Sequence, residues 1–137
     1  ATEILRPTKQ RRGQSYFREI VLNNYDNRCA VTGLQVRELL IASHILPWSS
    51  HENERLNVQN GICLNRLHDA AFDQGFISFD TQLRLIISDR LKSALTQDAV
   101  NNLFKNYEAK QLDIPVDGMP PSEEFLMKHR MRFNFPD

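Results

Sequence analysis

The sequence predicts an α+β domain whose centre is a ββα unit, with flanking helices and a β-hairpin around it. Three observations predict it. Residues 39–48 form a mostly apolar run, residues 61–64 form a second, shorter one, and the stretch between them is polar and without period. Residues 66–73 follow directly, with Asn65 placed as an N-cap and Gly75 as a C-terminal stop, which is the signature of a short helix. Residues 76–80 and 83–87 are two β-rich runs either side of Thr81-Gln82, a hairpin pattern.

In chain order, residues 1–13 carry Pro7, Gly13 and basic side chains with no hydrophobic period and read as a basic linker. Residues 14–137 then read as one domain. Phe17, Ile20, Val21 and Tyr25 recur at helical spacing and predict a helix over 14–25, ended by Asn23, Asn24, Asp26 and Asn27. Residues 29–33 read as a short extended piece closing in a turn at Gly33. The run 39–48 reads as a buried strand limited by Pro47. Residues 49–59 read as a loop of a length that is usually functional. Further on, Thr96 is placed to cap a helix bearing Val100, Leu103, Phe104 and Tyr107 on one face. Residues 110–121, with three prolines and Gly118, read as a loop. Ser122, followed by Glu123 and Glu124, opens a last helix in which Phe125 and Leu126 are core candidates.

Bulk composition narrows the class. The 137 residues suit a single domain, with 41% hydrophobic and 25% charged residues. No apolar run approaches the ~18 residues needed to span a bilayer, and residues 1–30 lack an apolar signal core, so a cytosolic protein is expected. Cys29 and Cys63 stand alone rather than in C-x-x-C pairs, so they read as free, packed thiols. Seventeen basic residues balance seventeen acidic ones, which argues against a domain devoted to clamping nucleic acid. The charge is uneven, however. Arg6, Lys9, Arg11, Arg12 and Arg18 form one acid-free basic stretch, and Lys128, His129, Arg130 and Arg132 form another. Both are candidate phosphate contacts.

Residues 43–75 carry the chemistry. His44 sits in an apolar strand, Asn60 precedes the returning strand, and His68 lies on the helix packed over both. The chemistry that suits this set is phosphodiester hydrolysis. A neutral imidazole is a fitting base near pH 7, a metal ion stabilises the charge on phosphate and leaving oxygen, and an asparagine holds the base in orientation. Taken singly, each residue has a plainer reading: His44 as a packed core histidine, Asn60-Gly61 as a turn pair, His68 as a solvated helix residue. His51 reads as solvated, and Trp48 as an anchor of the loop.

The runs ASHILPW (42–48), NGICL (60–64) and LHDAAFDQG (67–75) resemble the HNH endonucleases, whose fold is the ββα-metal unit. More narrowly they are similar to HNH domains at the C-terminal end of bacterial restriction endonucleases. The flanks RRGQSYFREIVLNNYDNRCAVTG (11–33) and FISFD (76–80) agree. The resemblance implies a metal-dependent DNA endonuclease of a restriction system, in the bacterial cytoplasm. It implies His44 as general base, Asn60 as its orienting partner, and His68 as metal ligand and third catalytic residue. The residue before the base is often Asp or His in the family; here it is Ser43, a weaker ligand. Asp69 and Asp73 are then candidate ligands, with Asp73 preferred because it lies in the matching FDQG segment; the plainer readings are a helix-end cap for Asp73 and, favoured over ligation, a surface acid for Asp69. One divalent ion is expected, Mg²⁺ with Mn²⁺ or Ni²⁺ as substitutes, and no structural zinc. Double-stranded DNA is the implied partner, with Arg11, Arg12, Arg55 and Arg66 as candidate contacts and a homodimer for double-strand cutting. The basic linker would join a recognition domain preceding Ala1. The alternatives are a non-specific nuclease toxin and a DNA-binding module with an inactive site.

Overall fold

The computed structural model describes residues 2–48 and 51–136. Helix α1 (Thr2–Asn24) comes first, followed by strand β1 (Leu40–His44), strand β2 (Gly61–Asn65) and helix α2 (Arg66–Asp73). Strands β3 (Ile77–Phe79) and β4 (Leu85–Ile87) form the hairpin. Helices α3 (Asp89–Lys92), α4 (Asp98–Leu103) and α5 (Glu123–Arg132) complete the chain. The two sheets are separate antiparallel ribbons. In the first, Leu40 faces Asn65 and His44 faces Gly61. The ββα expectation is met, and the helix over 66–73 begins and ends where the sequence placed it.

The caps explain those boundaries. The Asn65 side chain accepts the His68 amide at 2.9 Å, satisfying a donor that the first turn leaves orphaned. Ser122 does the same for the Phe125 amide in α5. Gly75 ends the α2 segment with φ +75°, a region open to glycine at little cost. The predicted cap at Thr96 is displaced: α4 starts after Gln97, without a side-chain cap.

The first thirty residues depart most from expectation. Residues 2–13, read as linker, continue the helix of 14–24. Gly13, taken as a linker signal, is a helical residue whose missing Cβ makes room for Trp48; a methyl there would sit 3.2 Å from the indole. Residues 29–33 are turn rather than extended chain, with Gly33 at φ +79°. The loop read as aperiodic over 49–59 holds two 3-10 turns, Glu52–Glu54 and Val58–Asn60, the second running one residue beyond it. Residues 49 and 50 of that loop, and Ala1 of the linker, lie outside the described residues.

One core joins the layers. Phe17, Val21 and Leu22 of α1, with Tyr25 just after it, cover one face of the β1–β2 ribbon, and Ala71 and Phe72 of α2 lie in the same cluster with Ile62, Leu64, Ile77, Phe79 and Leu126. Arg18 fastens α1 to the start of β1 by donating to the carbonyls of Arg37 (2.9 Å) and Leu40 (2.5 Å). It is therefore a structural arginine within the predicted basic patch. Cys29 and Cys63 are both free and buried, and burial together with the neighbouring Cys29 pushes the Cys63 thiol up to about 12.

The second basic cluster is also partly interior. His129 and Arg130 are buried on α5 and Arg130 donates to the Phe79 carbonyl, so neither faces a nucleic acid. His129 stacks on Phe72, donates from Nε2 to the Phe72 carbonyl, and accepts at Nδ1 from the Ser78 hydroxyl, both at 2.8 Å. Burial lowers its pKa from 6.5 to about 4, with Arg132 and Arg130 adding to the fall against the Phe72 hydrogen bond. The folded chain thus refuses a proton that the unfolded chain accepts. The stabilisation is complete above pH 6.5 and is lost as pH falls toward 4, amounting to about 3 kcal/mol. Chemical denaturation across pH 7 to 4 is expected to show this loss, with a shallower slope in His129→Gln. An unchanged slope in that variant would refute the assignment.

Candidate active site

The site is built around the far end of β1. Alternation along the strand sends Ser43 and His44 to opposite faces of the ribbon. His44 turns toward α1, where its ring stacks on Phe17 with centroids 3.9 Å apart and planes 11° from parallel. Trp48 meets it edge-on at 5.2 Å. Its Nε2 lies 3.3 Å from the Arg55 carbonyl. A carbonyl can only accept, so Nε2 carries the hydrogen and Nδ1 keeps its lone pair. Burial lowers the pKa of His44 below 6.5, and the Arg55 hydrogen bond offsets part of that fall. At neutral pH the ring is therefore an uncharged base with a defined free nitrogen.

Among the described residues, the hydrogen bonds of the Asn60 side chain go to the loop backbone rather than to His44. Asn60 is 1% exposed, and its amide acts as a substitute strand. Its Oδ1 accepts the Leu46 amide at 2.8 Å, and its Nδ2 donates to the carbonyls of Leu46 (3.3 Å) and Glu54 (3.2 Å). Its own carbonyl accepts the Ile45 amide at 2.9 Å. Asn60 thus ties both sides of the loop together, and the Arg55 carbonyl that sets the His44 tautomer sits next to one of these ties. The Asn60-Gly61 pair is no turn. Gly61 is extended (φ −134°), and a Cβ there would fall 2.5 Å from Val21 and 2.7 Å from Phe17. The glycine lets α1 lie directly against the ribbon beside His44.

The structure does not bring His68 to His44. His68 is 1% exposed, packed against Phe104 and Tyr107. Its Nε2 donates to the Leu103 carbonyl at 2.9 Å, which leaves Nδ1 as an acceptor for the Asn65 amide nitrogen at 3.0 Å. Both ring nitrogens are occupied and burial lowers the pKa, so no lone pair remains for an ion. The ring belongs instead to a clasp. Asn65 Nδ2 lies 3.4 Å from Thr32 Oγ1 and 3.6 Å from the Cys29 sulfur, which also receives the Asn65 and Thr32 amides. Cys29, Thr32, Asn65 and His68 thereby join the 29–33 turn, the β2–α2 corner and the end of α4.

On the α2 side, the Ser43 hydroxyl is buried in a residue 2% exposed and makes no hydrogen bond of ordinary geometry. It nevertheless lies close enough to the Asp69 carboxyl to stabilise its charge. The hydroxyl is thus near the carboxyl without being aligned with it. Burial raises the Asp69 pKa; Ser43 and Arg66 act against this, and the like charge of Asp73 adds to it. Asp69, read from sequence as a surface acid, is thus half-buried beside Ser43, with Asp73 one turn further along the same helix. The i, i+4 spacing from Asp69 to Asp73 was the available signal. Arg11, Arg12 and Arg66 are exposed; Arg55 donates to the Trp48 carbonyl at 2.6 Å and lies over its indole. His51 is not simply solvated, because its Nδ1 is buried. Among the described residues no three His, Cys, Asp or Glu side chains gather as a metal-holding group, and no helix is long and apolar enough to cross a membrane.

A two-stranded ribbon crossed by a short helix, with a pinned loop presenting one imidazole, places the chain among the ββα proteins. Residues 29–80 match the family model described as HNH endonuclease, so this stretch is similar to that family. Its members are nucleases that act on DNA and generally use a divalent metal. Helix α1 and everything after Asp80 lie outside the match. No curated protein matches the chain.

The clasp yields a stability prediction. His68→Ala removes the hydrogen bond to the Leu103 carbonyl and opens a void where the buried ring packs against Phe104 and Tyr107, so it is expected to cost roughly 2–4 kcal/mol in urea unfolding. An equally stable His68→Ala protein would remove the structural role assigned to this ring.

Proposed function

We propose that this chain is a metal-dependent DNA endonuclease in which His44 takes the proton from the attacking water. The carrying observation is the fixed tautomer: Nε2–H is held by the Arg55 carbonyl, so the Nδ1 lone pair is free. Asn60 is a positioning residue that keeps the loop, and with it that carbonyl, in place. The β1 strand pairs on one side only, and its open edge lies between His44 on the α1 side and Ser43 on the α2 side. The scissile phosphate lies along that edge.

The metal belongs on the α2 side, with Asp69, Asp73 and Ser43 as its protein ligands. The fit rests on an unpartnered buried hydroxyl and on a carboxyl whose charge is disfavoured without a cation. One or two carboxylates with water completing the shell is the usual manner of holding Mg²⁺, with Mn²⁺ or Ni²⁺ as substitutes. When bound, the ion offsets the negative charge that builds on the phosphate and the leaving oxygen. His68 is not among the ligands, because its nitrogens are engaged elsewhere. Products with 5′-phosphate and 3′-hydroxyl ends follow. Arg11, Arg12, Arg55 and Arg66 contact the DNA backbone. The role is that of a restriction enzyme's cleavage domain, with sequence recognition outside this unit and two copies needed to cut both strands.

Plasmid cleavage with Mg²⁺ or Mn²⁺ against an EDTA control tests the reading; a folded protein that cuts under neither ion sinks it. His44→Ala is expected to lose at least ~100-fold in rate with the fold intact. Asp69→Asn is expected to lose metal-dependent cutting while the metal-free protein melts at an equal or higher temperature, because a disfavoured buried charge is gone. A clear fall in that melting temperature would instead make Asp69 a structural acid.

A further inference from the structure

Helix α1 lies outside the family segment, yet it supplies the surface on which His44 rests. We propose that Phe17 is a positioning residue for the base, holding the plane of the His44 ring so that its free nitrogen points along the open edge of β1. The inference rests on the reading of His44 as general base. Three contacts constrain the ring independently. The Phe17 face fixes its plane at 3.9 Å and 11°. The Arg55 carbonyl fixes the rotation within that plane. The Trp48 edge limits tilting. A face-to-face stack covers the π surface and leaves the in-plane lone pair uncovered, so the platform restrains the base without blocking it.

Two glycines exist for this arrangement. Gly61, opposite His44 in the ribbon, could not carry a Cβ without striking the tip of Phe17 at 2.7 Å. Gly13, one turn before Phe17, admits the Trp48 indole in the same way, with 3.2 Å to a Cβ. The same helix therefore carries the stacking ring and seats the tryptophan that flanks it. The buried Phe17 also keeps water from that face of the imidazole, at 1% exposure. A ring held this way approaches its water already oriented, and small displacements of a reacting group cost rate steeply.

The test uses Phe17→Leu, which keeps an apolar core residue but removes the flat face, beside Leu22→Ala, an equally buried change on the same helix. Phe17→Leu is expected to lower kcat on the order of ten- to a hundredfold with KM within about twofold, since the step impaired is base alignment rather than DNA binding. Leu22→Ala is expected to lose thermal stability and keep kcat. A second readout needs no cleavage. At a fixed pH of about 8, well above the ordinary histidine range, the His44 ring protons should be shifted upfield by the Phe17 ring current and should lose that shift in Phe17→Leu alone. Retained kcat in Phe17→Leu, or equal losses in both variants, overturns the proposal. A lost ring-current shift in a protein that never cuts DNA would instead keep the stack and defeat the nuclease reading.

Discussion

Everything at the site hangs from the buried amide of Asn60. A loop that leaves a two-stranded ribbon and returns must satisfy its backbone groups away from water, and among the described residues no further strand pairs with this ribbon to do so. Asn60 supplies one acceptor and two donated hydrogen bonds in place of that strand, to Leu46 on the outgoing side and Glu54 on the returning side. Because the loop is closed there, the Arg55 carbonyl comes to a fixed place beside His44. A base with a defined tautomer thus follows from a hydrogen-bonding requirement of the backbone. The setting of the His44 ring and the folding of the loop depend on the same side chain.

Neighbours, rather than residue type, separate the histidines. His44 is half-buried between aromatic rings and keeps one free nitrogen. His68 and His129 have both nitrogens engaged by carbonyl, amide or hydroxyl groups and serve as interior cross-links. In all three, burial disfavours the imidazolium, so acidification works against the fold and against the base together. The carboxylates show the converse. Asp69 is held in a setting that penalises its charge, the kind of local cost that recurs where a protein binds cations.

The family segment is small, and it does not stand alone. Residues 29–80 contain the ribbon, the loop and α2, but one face of the ribbon is covered by α1, and His68 finds its partner on α4. Arg18 and Phe17 bind α1 to β1 at its two ends, the first through carbonyls and the second through the imidazole. The surrounding helices are thus part of how the ββα unit is kept in working shape.

The sequence by itself determined the ribbon, the helix over 66–73, its Asn65 cap and the hairpin behind it, because each is written in local spacing and in cap or turn chemistry. It did not determine which of His68, Asp69 and Asp73 faces the site. A helix of eight residues turns through only about two turns, and residues 68 and 69 differ by a rotation that the packing of α2 alone decides. Nor could it show that residues 2–13 continue a helix, since Gly13 looks like a breaker until Trp48 is seen against it. Local order follows from near neighbours in the chain. The direction in which each side chain faces follows from what the tertiary fold sets beside it.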